Sequence, residues 1–83
     1  MKEKDELVEY AGKHDFKVTE TADATIIAAP DKVWSWVIHD GLLSQYAVPY
    51  QKALNRHQCH DDAEALSIAL ASMKNWLTNA EKC

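Results

Sequence analysis

The stretch from Ala24 to Val48, ATIIAAPDKVWSWVIHDGLLSQYAV, constrains the fold more than any other part of the chain. Three short apolar runs rich in Val, Ile, Trp and Tyr are separated by Pro30-Asp31 and by Asp40-Gly41. Runs of that composition between turn dipeptides form an antiparallel meander. Gly41 supplies the positive φ that a two-residue hairpin turn wants, and Pro49, with no amide to give to a ladder, should end the last run.

Treating both dipeptides as two-residue turns predicts a register. Ala29 opposes Lys32, Ile27 opposes Trp34 and Thr25 opposes Trp36 in the first hairpin; in the second, Ile38 opposes Leu43, Trp36 opposes Gln45 and Trp34 opposes Ala47. Alternation then sorts the side chains. One face carries Ile26, Ala28, Val33, Val37, Tyr46 and Val48 with Ser35, and the other carries Ile27, Trp34, Trp36, Ile38 and Leu43.

The flanks supply the helices. Residues 3–13 read as a short helix with acidic Glu3, Asp5 and Glu6 in its first turn, an apolar stripe of Leu7, Val8 and Ala11, and a stop at Gly12. Phe16 and Val18 alternate with Lys17 and Thr19 as an edge strand, joined to the next by a tight connection at Ala22-Asp23. Residues 50–60, YQKALNRHQCH, fit either a helical turn or a crossover loop. From Asp61 or Asp62 as N-cap, Leu66, Leu70, Met73, Leu77 and Ala80 recur with helical spacing along one long amphipathic helix. The predicted fold is α+β: a small two-layer sandwich over residues 1–83, in which a three- to four-stranded antiparallel meander lies between a short N-terminal and a long C-terminal helix.

Both faces of such a sheet are apolar, and the helical layer covers one. The face of small and β-branched residues lets a helix approach closely, so the stripe from Leu66 to Leu77 is expected there. Trp34, Trp36, Ile38, Leu43 and Ile27 then form a surplus patch, and aromatic side chains of this kind anchor protein interfaces. The alternative is that the tryptophans are themselves the core, beneath the long helix, with the β-branched face covered by the N-terminal helix.

Composition narrows the function. At 83 residues the chain buries roughly 60% of its unfolded surface, and 47% hydrophobic content with two glycines and two prolines marks an ordered domain. The net charge is −4, with one arginine, Arg56, and scattered lysines among thirteen acidic residues, so nucleic acid is not an expected partner. No apolar stretch approaches the ~20 residues of a membrane span, and the charged start MKEKDELVEY is unlike a secretory signal. Cys59 and Cys83 flank a helix about 30 Å long, too far apart for a disulfide. A cytoplasmic location with reduced thiols is expected.

Three groups could carry chemistry. His57, Cys59 and His60 are weak candidates for metal ligands, since their spacing is atypical for zinc and no second ligand pair exists. His39-Asp40 resembles a general-base pair but sits at a hairpin tip, where strand neighbours point to opposite faces and need not touch. Neither a phosphate loop nor a nucleophile elbow is present. The expectation is therefore a small non-catalytic protein without cofactors that binds another protein or itself as a homodimer, an accessory or regulatory component of the kind phages and other mobile elements encode. A small-molecule binding module using the Trp face is the alternative, and a metal-binding protein or enzyme centred on His57, Cys59 and His60 comes third.

Overall fold

The structure is a computed structural model that describes residues 2–47 and 52–82, and for 52–54 and 81–82 the backbone only. Its elements are α1 (Lys2–Lys13), β1 (Lys17–Glu20), β2 (Thr25–Ala28), β3 (Trp34–His39), β4 (Leu42–Ala47), β5 (Lys52–Gln58) and α2 (Asp62–Lys82). The strands form one antiparallel sheet in sequence order. There are five strands where three or four were expected. The addition, β5, falls in the segment whose sequence fits either a helical turn or a loop. That sequence, KALNRHQ, has no apolar alternation; it is a strand because the edge of β4 offers unpaired amides and carbonyls, and a bulge between Gln45 and Tyr46 absorbs the mismatch. Val48, Pro49 and Cys83 lie outside the described residues.

Helix α1 runs past Gly12 and stops where Asp15 takes a φ of 63°. The Phe16 amide then donates to the Ala11 carbonyl at 2.9 Å, a Schellman closure in which Asp replaces the usual glycine. This turn drives Phe16 into the core beside Ala11, with Leu7 one turn earlier, while Val8 stays 45% exposed.

The Asp40-Gly41 turn is as expected, with φ of 47° and 75° and Ile38 opposite Leu43, Trp36 opposite Gln45 and Trp34 opposite Ala47. The preceding hairpin is wider. The Ala29 amide donates to the Trp34 carbonyl at 2.9 Å, so the loop has four residues, from Pro30 to Val33. Asp31 holds it open by accepting from the amides of Val33 (2.9 Å) and Trp34 (3.3 Å). The register is therefore two residues from the predicted one, with Ile27 opposite Trp36 and Thr25 opposite Ile38. A shift of two preserves the side-chain period, so each residue keeps its predicted face.

Of the two arrangements the sequence leaves open, the long helix covers the tryptophan face, and the small, β-branched face stays without a helix. The core joins Leu7 and Ala11 of α1, Ala65, Leu66, Ala69 and Met73 of α2, and Phe16, Ile27, Ala29, Trp36, Ile38 and Leu43 of the sheet side. The reason is shape. Helix α2 carries alanines at 65 and 69, both without exposed surface, and these small side chains let its backbone approach the bulky tryptophan face. Large residues on the sheet meet small ones on the helix. The stripe is rotated accordingly: Leu70 and Leu77 are half-buried and Ala80 is exposed. No helix among the described residues is long and apolar enough to cross a membrane.

Candidate functional site

Ile27, Trp36, Ile38 and Leu43, expected as partner anchors, are at most 6% exposed. Trp34 is half-buried and packs against the same cluster. A partner-binding role for these residues needs solvent access that α2 removes from four of them. They hold the sheet to the helices instead, and Trp36 is tied across the layer by its indole Nε1–H, which donates to Ser72 Oγ at 2.9 Å.

Helix α2 lies over β3 and β4, and the sheet extends one strand further. Along the uncovered margin a cleft of about 320 Å³ opens between α2 and β5, lined by Trp36, Leu43, Gln45, Asn55, Arg56, His57, Ile68 and Ser72. The register explains this lining. Trp36, Gln45 and Asn55 form one cross-strand row, and Ile38, Leu43 and His57 form the next. Ile68 and Ser72, one helical turn apart, form the opposite wall. The floor is apolar and the rim polar.

His57 belongs to a second arrangement at the junction of β5 and α2. Its ring nitrogen, Cys59 Sγ and a Glu64 carboxylate oxygen all lie within 4.8 Å of one another. The junction is pinned: the Cys59 amide donates to the Gly41 carbonyl at 2.8 Å, and the Gly41 amide donates to Asp62 Oδ1 at 2.7 Å. Asp61 caps the helix by accepting from the Glu64 amide at 2.9 Å, and the Glu64 carboxylate accepts from the His60 amide at 3.2 Å. Burial pushes the Cys59 thiol above its ordinary range, and the charges of Glu64 and Asp61 push it further.

Of the sequence candidates, His57 and Cys59 lie together with Glu64, while His60 contributes its backbone amide to the Glu64 carboxylate. Glu64 carries no ligand signal in the sequence, because the strand-to-helix reversal that carries it back over Cys59 depends on β5.

His39 and Asp40 do touch. His39 Nδ1 meets the Asp23 carbonyl at 2.5 Å, and Nε2 lies 3.3 Å from Asp40 Oδ2. The ring thus bridges the Asp23 carbonyl and the Asp40 carboxylate. The carbonyl, followed by the Asp40 charge, raises the His39 pKa above 6.5. Both side chains are exposed, and the pair clasps the β1–β2 turn to the β3–β4 turn.

Comparison with protein-family models, curated proteins and solved structures gives no match. A function for this chain has to be read from the chemistry of its own residues.

Proposed function

We propose that this protein is a non-catalytic binding module that takes a small aromatic ligand with a polar end into the cleft between α2 and β5. The cleft lining carries the reading. Half-buried Ile68 offers the apolar surface, backed by Leu43 and Trp36, which are themselves buried, while Gln45, Asn55 and Ser72 present both donors and acceptors. Arg56 and His57 at the rim favour an acidic end. A volume of about 320 Å³ is near the lower limit of ligand pockets, which suits one or two rings. The nearby thiol favours binding over catalysis, since Cys59 is held protonated, the opposite of an activated nucleophile.

Amide-resolved NMR with benzoate, indole-3-carboxylate and their amides tests this. Shifts should concentrate on residues 43–45, 55–57 and 68–72, and Asn55→Phe, a filling substitution at an exposed strand position, should abolish them. Shifts scattered over the surface, or unchanged in Asn55→Phe, refute the cleft as the site.

One observation favours a second reading, self-association. On the sheet face away from the helices, Ile26 pairs with Val37 and Ser35 with Tyr46, and these apolar side chains with Leu42 are half-buried with no helix over them. The occupant this reading commits to is a second copy. Five strands at about 4.8 Å spacing and roughly five residues long give about 400 Å², half the ~800 Å² per partner of a standard interface. Such a dimer would be weak.

A further inference from the structure

We propose that His57, Cys59 and Glu64 form a three-ligand site for a divalent transition metal, with zinc the best-suited ion. A sulfur, an imidazole nitrogen and a carboxylate oxygen within 4.8 Å of one another make a borderline-soft donor set, which selects zinc-like ions over calcium or magnesium. Tetrahedral zinc, with bonds of about 2.3 Å to sulfur and 2.0–2.2 Å to nitrogen or oxygen, places its donors roughly 3.3–3.6 Å apart. Closing from a spacing of up to 4.8 Å takes at most about 1.5 Å. The two ligands that would move, His57 and Glu64, are the exposed ones, while Cys59 is buried and its backbone fixed to Gly41.

Each donor has capacity for the ion. The Cys59 Sγ has one weak contact, to the His57 carbonyl at 3.8 Å. The His57 ring has no hydrogen-bond partner among the described residues. The Glu64 carboxylate gives one oxygen to the His60 amide, and its second oxygen can ligate without loss of the helix cap. On binding, the thiol proton leaves to solvent and the thiolate takes the metal, while His57 coordinates as the neutral ring. Three protein ligands leave a fourth position for water or a small donor. This inference does not depend on the cleft reading, since the metal alone occupies the site.

The test uses the full chain carrying Cys83→Ser, so that Cys59 is the only thiol, kept reduced. Titration with Co²⁺ alone should give a thiolate-to-cobalt charge-transfer band that saturates at one equivalent and is bleached by Zn²⁺. Zinc should raise the unfolding temperature and chelator should reverse the rise. His57→Ala and Glu64→Gln are exposed changes, and Gln keeps an acceptor for the His60 amide. Each should weaken zinc binding at least about tenfold, the loss that even an outer-shell change commonly causes, whereas His60→Ala should leave it unchanged. Absence of the band refutes the site, as does zinc affinity insensitive to His57→Ala and Glu64→Gln. Loss of binding in His60→Ala with retention in Glu64→Gln refutes this ligand set.

Discussion

Replacing Ser72 with alanine removes the acceptor of the bond that ties α2 to the sheet. Trp36 has no exposed surface, and its Nε1–H has Ser72 Oγ at 2.9 Å as partner. Orphaning a buried donor costs about 1–3 kcal/mol. Ser72 lines the cleft, so water entering there can take up part of the load, and the expected cost is about 1–2 kcal/mol. A chain of this length has roughly 4–12 kcal/mol of total stability, which makes the loss measurable. Trp36→Phe removes the donor and part of the ring, at some fraction of the about 3–5 kcal/mol for truncation to alanine. In the Trp36→Phe background, Ser72→Ala should cost within about 0.5 kcal/mol, as at an ordinary surface position. The coupling energy of the double-mutant cycle is then about 1 kcal/mol. Urea unfolding followed by far-UV circular dichroism reads all four proteins without relying on tryptophan fluorescence. Additivity within about 0.3 kcal/mol would refute the reasoning, because a helix not seated on Trp36 leaves the indole no partner to lose.

At Gly41, φ is +75° and a Cβ would sit 3.2 Å from the Cys59 carbonyl oxygen; Gly41→Ala should lower the urea midpoint by the equivalent of about 1–2 kcal/mol, and an unchanged midpoint would contradict the clamped turn. The His39 imidazole should titrate above 6.5 by NMR, and Asp40→Asn should lower its midpoint while leaving it above that value, since the Asp23 carbonyl is the larger cause. Because the folded pKa is raised, the stability contributed by His39 is fully present below 6.5 and lost as pH rises through the folded value; a midpoint at or below 6.5 would show that the clasp is absent. Light scattering should show a weak, concentration-dependent dimer that Tyr46→Glu converts to monomer, and a monomer at all concentrations would remove the self-association reading.

Local signals carried much of the architecture. Asp40-Gly41 reads as a type I′ turn because glycine accepts positive φ without steric cost, and the register of β3 with β4 follows from it residue by residue. An aspartate cap at 61 or 62 and the amphipathic spacing that follows mark α2 from sequence alone, and the structure assigns the cap to Asp61. Even with its loop two residues too short, the Pro30-Asp31 hairpin keeps its faces, since alternation has a period of two. Other features required contacts between distant residues. KALNRHQ has no strand pattern of its own and becomes β5 through the edge of β4. Which sheet face the helices cover depends on how Ala65 and Ala69 fit beneath Trp36 and Ile27, a complementarity of volumes that hydrophobic patterning does not encode, because both faces are apolar. The His57–Cys59–Glu64 cluster exists for the same reason: a polar strand paired at an edge and a capped helix reverse the chain at Cys59, and that reversal brings a capping carboxylate back over a thiol five residues before it.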